Sequence, residues 1–505
     1  MHTSIPTPLF ILEMANNHMG DVAHGVQVIR QFGVVCRDFP EFSFAFKLQY
    51  RDLDTFIHPA MQGRHDIKYV KRFSETRLSR ADFDGLVSEM RANGFMAMCT
   101  PFDEASVDVI EQQQLNIIKI GSCSLTDWPL LERVAATHLP IIASTAGASL
   151  DDMDRVTSFL AHRNKDFAIL HCVGEYPTAD DNLHINQIDF LRTRYPNVRI
   201  GFSTHENPDN FDIIKIAIAK GANIFEKHVG VPTEKYALNA YSANPEQIRR
   251  WLNAARYTLQ ICGVEHTRLP ANAAEITSLQ GLRRGIFVRH DVQSGDVLRA
   301  DDVYFAFPPE EGQWTAHEWS KYSTFIATVP IQKNAAISQS NTSLTDVRAW
   351  ATQAAQQVKA LLEKSRITVP GGVDLELSHH YGIDRFQEVG LTMITIVNRA
   401  YCKKLLVSLP GQAHPEQYHN QKEETFHILY GDVDITLDGV TKSCHTGDVI
   451  HVELGMRHAF VSQTGSVIEE ISSTHNKNDS FYTDDAINRN MHRKTLLTYW
   501  MDSAE

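Results

Sequence analysis

The feature that most constrains this chain is a pattern repeated along residues 1 to about 265: a short apolar run, a polar cluster at its end, then a longer helical stretch. The runs are FILEMA (10–15), FAFKLQ (44–49), FMAMCT (95–100), IIKIGS (117–122), PIIAST (140–145), FAILHC (167–172), RIGFST (199–204) and NIFEKH (223–228). Segments such as SRADFDGLVSEMRANG lie between them, several closing on the Gly expected after a helix. Eight βα units over this length fit a (β/α)8 barrel better than a doubly wound sheet. No GxGxxG turn follows the first run, which removes the main support for a dinucleotide fold.

In such a barrel the chemistry gathers at the C-terminal ends of the strands. Here those ends carry Glu13, Asn16, Asn17 and His18; Lys47 and Gln49; Thr100; Lys119 and Ser122; Ser144 and Thr145; His171 and Tyr176; Ser203 and His205; and Glu226, Lys227 and His228. Strand ends border loops and are polar in any case, but Lys47, Lys119 and Glu226 sit inside apolar runs, where an unpaired charge is costly. Two lysines with the hydroxyls of Thr100, Ser122, Ser144 and Ser203 suit a phosphate or carboxylate. His205 and His228, on adjacent strand ends, suit Mn2+, Zn2+ or a similar ion acting as a Lewis acid. Glu13 and Glu226 offer carboxylates for proton transfer. Together these features point to carbon–carbon bond chemistry on an anionic substrate.

The rest of the 505-residue chain divides in two, within the two to four domains that such a length suggests. Residues 278–340 read as a small β-rich module around a Ser-Gly-Asp turn, and 344–365, Ala- and Gln-rich, as a helical connector. Residues 366–505 alternate like an all-β jelly roll. A formal net charge of −13 argues against a nucleic-acid partner or an anionic membrane surface. No apolar run is long enough for a membrane span, and the N-terminus has no basic n-region, so neither a membrane location nor a signal peptide is expected. Seven scattered cysteines without a CxxC pair indicate a reducing, cytoplasmic setting.

The stretches EMANNHMGD, KLQ, CTPFD, IKIGS, STAG, HCVGEYPT, GFSTHE and FEKHVG, in this order, resemble the sialic acid synthase (N-acetylneuraminate synthase) family across residues 8–265. RRGIFVRHDVQSGDVL resembles the antifreeze-like (SAF) module of those enzymes. The resemblance implies metal-dependent condensation of phosphoenolpyruvate with an open-chain sugar aldehyde, giving a 3-deoxy-2-ulosonic acid and phosphate. It implies His205 and His228 as ligands of Mn2+ or a similar ion. Lys47, Thr100, Lys119, Ser122, Ser144 and Ser203 would be contacts of phosphoenolpyruvate, with Gln49 and Tyr176 on the sugar side and Glu13 and Glu226 as acid/base groups. A homodimer, each SAF module covering the other chain's barrel mouth, is implied too.

Three departures fall on the sugar side. Gly174 replaces an Asn, KYALNAYS replaces a GPDH-like segment so that Asn239 would stand in for its sugar-binding aspartate, and Phe307, Pro308 and Pro309 replace an RPG turn. They suggest a plainer acceptor than an acylamino sugar, such as a neutral pentose or hexose.

GQAHPEQYHNQKEETFHILYG and GDVIHVELGMRH resemble the two cupin motifs, with His419, Glu424 and His458 at ligand spacing for a second divalent metal. Gln417 occupies the first His position, with His414 near enough to compensate. SVIEEISSTHNKNDSFYTDDAI resembles cupins of the D-lyxose isomerase type, with Lys422, Glu469 and Glu470 as candidates for moving an enediol proton. Such a domain would supply an aldose to the barrel; a sugar-binding or dimerising module is the competing reading. For the whole chain, the rival to an enzyme is a catalytically retired barrel acting as a scaffold.

Overall fold

A computed structural model describes residues 4–265, 267–476 and 478–501. The chain forms two compact units, Met1–Leu269 and Pro270–Glu505. In the first, β1 (Leu9–Glu13), β2 (Ser43–Tyr50), β3 (Met96–Pro101), β4 (Ile117–Ile120), β5 (Ile141–Ser144), β6 (Phe167–Cys172), β7 (Arg199–Thr204) and β8 (Ile224–His228) close a barrel in sequence order. Neighbouring strands are parallel, and β8 pairs back onto β1. Helices return the chain between strands. Arg80–Ala92, for instance, starts at a capping box between Ser79 and Asp82 and buries Leu86, Val87 and Met90.

Because side chains alternate along a strand, each one sends a single line of residues into the barrel. That line begins apolar and ends polar on strand after strand: Leu9, Ile11, Glu13; Ala45, Lys47, Gln49; Met98, Thr100; Ile117, Lys119; Ile142, Ser144; Ile224, Glu226, His228. The apolar members, with Ala168 and Leu170, pack into one buried cluster that forms the floor. The opposite parity (Phe10, Leu12, Phe46, Leu48, Phe225) joins the larger core against the helices. On β7 the inward line passes through Gly201, where a Cβ would lie 2.3 Å from the Ile224 carbonyl oxygen, so only glycine allows β7 and β8 this approach.

Parity corrects part of the strand-end reading. Lys227 and His171 point outward, away from the barrel interior. Lys227 Nζ pairs with Glu206 Oε1 at 2.7 Å beside Trp251, and His171 stacks on Phe202 with Nε2 against the Leu183 carbonyl.

In the second unit, Gly285–Val288 pairs with Val303–Ala306, and Val297–Leu298, Ser323–Ala327 and Thr342–Asp346 form a three-stranded sheet. The last strand lies beyond residue 340, so this small module extends further than its sequence reading. Arg348–Ser365 is a helix, yet not a free connector: Ala351, Ala354, Ala355, Val358, Leu361 and Leu362 share a core with Leu375, Ile394 and Val407. Its small residues at helical spacing form a flat face that lies close on the sheet. The remaining chain is a jelly roll of a seven-stranded and a five-stranded sheet among the described residues. Phe426, Ile428, Ile435, Phe460 and Ile468 fill the space between them. No helix of the described residues is long and apolar enough to cross a membrane.

Candidate active site

At the top of the barrel the inward lines bring four charges together, each nearly inaccessible to solvent. Register sets Glu13 level with Lys47 and with His228, and Ser203 level with Glu226. Lys47 pairs with Glu13 and lies 2.9 Å from Glu226; Lys119 Nζ donates to Ser144 Oγ at 2.5 Å and lies 3.5 Å from Glu226; Ser203 donates to Glu226 at 2.9 Å. Two cations and two carboxylates can stay ionised here only because they neutralise one another.

The two carboxylates are pushed in opposite directions. Burial raises the pKa of Glu13 more than Lys47 lowers it, and the neighbouring Glu226 adds to the rise. Burial also acts on Glu226, but Lys119 and Lys47 together outweigh it and hold it below the usual carboxylate range. Burial draws Lys119 down, while Glu13 and Glu226 more than offset the same effect on Lys47. The Thr100 hydroxyl is buried with no partner, and Ser122 Oγ accepts from the Ala146 N–H. The cradle therefore holds a donor ready for a further acceptor.

Two imidazoles stand beside this cluster, their ring centres 5.3 Å apart. His205 Nδ1 must donate to the Val173 carbonyl (2.9 Å), which leaves Nε2 as the free ligand atom. Burial pulls His205 down to about 4 and His228 to about 3, so both rings are neutral and able to bind a metal. Tyr176 lies 4.1 Å over His205, and Tyr241 packs edge-on to both rings. Gln49 Nε2 donates to Glu13. Asn239 ties its loop to the turn after β1: Nδ2 donates to Asn17 and Oδ1 accepts from the Tyr241 N–H. Its amide thus braces the segment, and Tyr241 is the residue of KYALNAYS that reaches the imidazoles.

Sequence reasoning passed over Tyr241 and Arg51. Tyr241 carried no signal beyond lying in a divergent loop. Arg51 did, because it continues the parity of Lys47 and Gln49. Its guanidinium lies 3.6 Å from the Phe102 ring centre and 4.1 Å from that of Phe73, and burial lowers it to about 10.

The jelly roll gathers a second site between its sheets. Among the described residues, His419, Glu424 and His458 are all buried and offer donor atoms within 4.8 Å of one another. His419 Nδ1 donates to the Asp479 carbonyl and His458 Nδ1 to that of Met456, so both Nε2 atoms face Glu424, at 3.4 and 3.3 Å. Asp479 is itself fixed by the N–H groups of Asn420 and Gln421. This anchored tautomer pair is what a two-imidazole, one-carboxylate metal site requires.

Two expectations change here. His414 lines the same cavity but stacks on Phe460 and is not among the three clustered donors. Gln417 instead faces His458, 3.2 Å away. Glu469 points out of the barrel to Lys403 and His427, whereas Glu470, of opposite parity, meets Lys404 and Lys422 inside. Lys422 also pairs with Glu424, and the space left at the cluster is only about 30 Å³.

Known proteins match both parts of the chain. The NeuB family model covers residues 44–267 and the cupin domain model residues 405–469. The crystal structure of a protein named for spore coat polysaccharide biosynthesis, protein E, from Chromobacterium violaceum ATCC 12472 is 56% identical, covers 66% of this chain and 99% of that one, and has a TM-score of 0.65. An uncharacterised protein of Methanocaldococcus jannaschii is 28% identical over 60% of this chain and 85% of its own length. The N-acetylneuraminate-9-phosphate synthase of Drosophila melanogaster is 27% identical over 47% of this chain and 64% of its own. The chain belongs to the NeuB family and carries a cupin domain in its C-terminal part.

Proposed function

We propose that the barrel joins phosphoenolpyruvate to an open-chain aldose, giving a 3-deoxy-2-ulosonic acid and phosphate. The observation that carries this reading is the buried cluster of Lys47, Lys119, Glu13 and Glu226 with two neutral imidazoles beside it. The name of the Drosophila relative, a sialic acid phosphate synthase, supports the reaction class.

Lys47 and Lys119, with the hydroxyls of Thr100, Ser122, Ser144 and Ser203, hold the phosphate and carboxylate of phosphoenolpyruvate. Gln49 and Tyr176 face the acceptor, and Asn239 steadies the loop that carries Tyr241. A divalent ion such as Mn2+, held by His205 and His228, would supply Lewis-acid polarisation of the acceptor carbonyl. C3 of phosphoenolpyruvate forms the new bond to the aldehyde carbon, and electron demand at C2 draws in water. Glu13, released by Lys47 when the lysine turns to phosphate, takes the proton of that water, and a proton is returned to the new alkoxide. C2–O cleavage then releases phosphate, which takes the proton of the C2 hydroxyl as that oxygen becomes the ketone. Glu226 stays ionised throughout and holds both lysines in place.

For the cupin, the proposal is aldose–ketose interconversion with Lys422 and Glu470 beside a divalent ion held by His419, Glu424 and His458. The narrow space at that cluster favours a second reading, a binding or assembly module. The seven cysteines, all unpaired, support a cytoplasmic setting. The β module of residues 285–346 is read as the SAF domain through which a homodimer forms.

The deciding experiment is consumption of phosphoenolpyruvate across a panel of aldoses and matching ketoses, with mass spectrometry of products. Aldose-dependent phosphate release that Glu226→Gln abolishes is expected. No release with any aldose from folded, Mn2+-supplied protein would return the barrel to the scaffold reading.

A further inference from the structure

We propose that Arg51 recognises an anionic group on the acceptor, so that the sugar condensed in the barrel carries a carboxylate or phosphate away from its aldehyde. This deepens the condensation reading and rests on it. The sequence alone suggests a neutral acceptor; the geometry around Arg51 changes that.

Arg51 lies one step beyond Gln49 on the inward line of β2, on the side of Gln49 away from Lys47. The Phe73 and Phe102 rings border its guanidinium, which restricts its motion and shields it from water. Its terminal nitrogens donate to Gln49 Oε1 at 3.2 Å, Gln49 passes the contact on to Glu13, and Nε is buried without a partner. Among the described residues no carboxylate pairs with it. Arg77 and Arg80, which border the same cavity, each hold one, Asp54 and Asp84.

That cavity measures about 340 Å³ and is lined by Asn16, His18, Gln49, Arg51, Phe73 and Phe83 among others. Asn16 and Gln49 line this cavity and Gln49 also donates to Glu13 of the barrel cluster, so under the proposal the aldehyde of a chain-form sugar lies toward His205 and His228 and its far end here. A half-buried guanidinium with no carboxylate in contact among the described residues is placed to take one, and its plane matches the two oxygens of a carboxylate or phosphate. Asn16 and His18 add polar contacts, and the two phenylalanines an apolar wall for the carbon skeleton.

The test uses the full chain with Mn2+ and three acceptors on one skeleton: D-mannose, D-mannose 6-phosphate and D-mannuronate. Phosphoenolpyruvate loss is followed by absorbance, and binding of each sugar by calorimetry. Wild-type protein should prefer a charged acceptor, and Arg51→Met should cut the charged-to-neutral ratio of kcat/KM about a hundredfold, with Arg51→Lys restoring part of it. The phosphate and carboxylate arms tell which anion is recognised. Equal losses for charged and neutral acceptors would reduce Arg51 to a positioning residue for Gln49 and overturn the proposal, while leaving condensation intact. If no sugar consumes phosphoenolpyruvate, condensation fails. The calorimetric arm then decides: Arg51-dependent binding of mannose 6-phosphate or mannuronate supports the anion site, and its absence overturns it.

Discussion

Replacing Lys119 with methionine removes one of the two cations from the barrel cluster while keeping much of the side-chain volume. Lys119 donates to Ser144 at 2.5 Å and stands 3.5 Å from Glu226, which it shares with Lys47. The variant leaves two carboxylates facing one lysine, so Glu226 loses part of what holds it ionised. For the substrate, the loss is one charge-assisted hydrogen bond to phosphate or carboxylate. At about 1.5–3 kcal/mol for a bond to a charged group, KM for phosphoenolpyruvate should rise roughly 10- to 150-fold. KM for the aldose should move far less, because the proposed mechanism gives Lys119 a contact with phosphoenolpyruvate and none with the acceptor. The assay is steady-state kinetics with each substrate varied at saturation of the other, alongside thermal unfolding to confirm a folded variant. Equal increases in both KM values, from folded protein, would refute the cradle assignment.

Chelation with EDTA should abolish condensation, and His228→Ala should do the same with an unchanged far-ultraviolet circular dichroism spectrum; full activity in metal-stripped protein would contradict this. As the proposed base Glu13 must be ionised, and its pKa is raised, so kcat/KM should fall as pH drops through a value above the ordinary 4.5. Glu13→Gln should erase that limb, and a profile identical to wild type would rule Glu13 out as the base. In the cupin, His419→Ala should remove one bound metal equivalent by elemental analysis and end the use of ketoses but not aldoses; unaltered ketose turnover would leave a binding or assembly module. Sedimentation should show a dimer at the concentrations used for kinetics, and a fully active monomer would refute the composite-site reading.

The barrel was legible because eight apolar runs, each followed by a helical stretch, leave few other folds, and because burying Lys47, Lys119 and Glu226 inside such runs needs a reason. The parity within each run was less visible. Glu226, Lys227 and His228 look equivalent on paper, yet the middle one serves the outer core. The same rule separates Glu469 from Glu470. Arg51 lay in plain view at two-residue spacing from Gln49, but only the folded chain brings Phe73 and Phe102 to its faces. His414 does reach the interior, on the face it shares with Gln417 through a strand irregularity that leaves little trace in sequence, but its ring stacks on Phe460. The helix Arg348–Ser365 was recognised as helical while its partner was not, since an alanine face does not name the sheet it packs on.

The apolar floor of the barrel has a kinetic consequence. Leu9, Ile11, Ala45, Met98, Ile117, Ile142, Ala168, Leu170 and Ile224 pack the lower end, so the polar cluster is open to approach from the strand C-termini and not through this floor. For the proposed condensation, substrates, phosphate and ulosonate would then share the rim above the floor. Turnover on that reading would be sequential traffic: a departing product and an arriving sugar would exclude each other, and whatever narrows that rim would set the pace of the whole cycle.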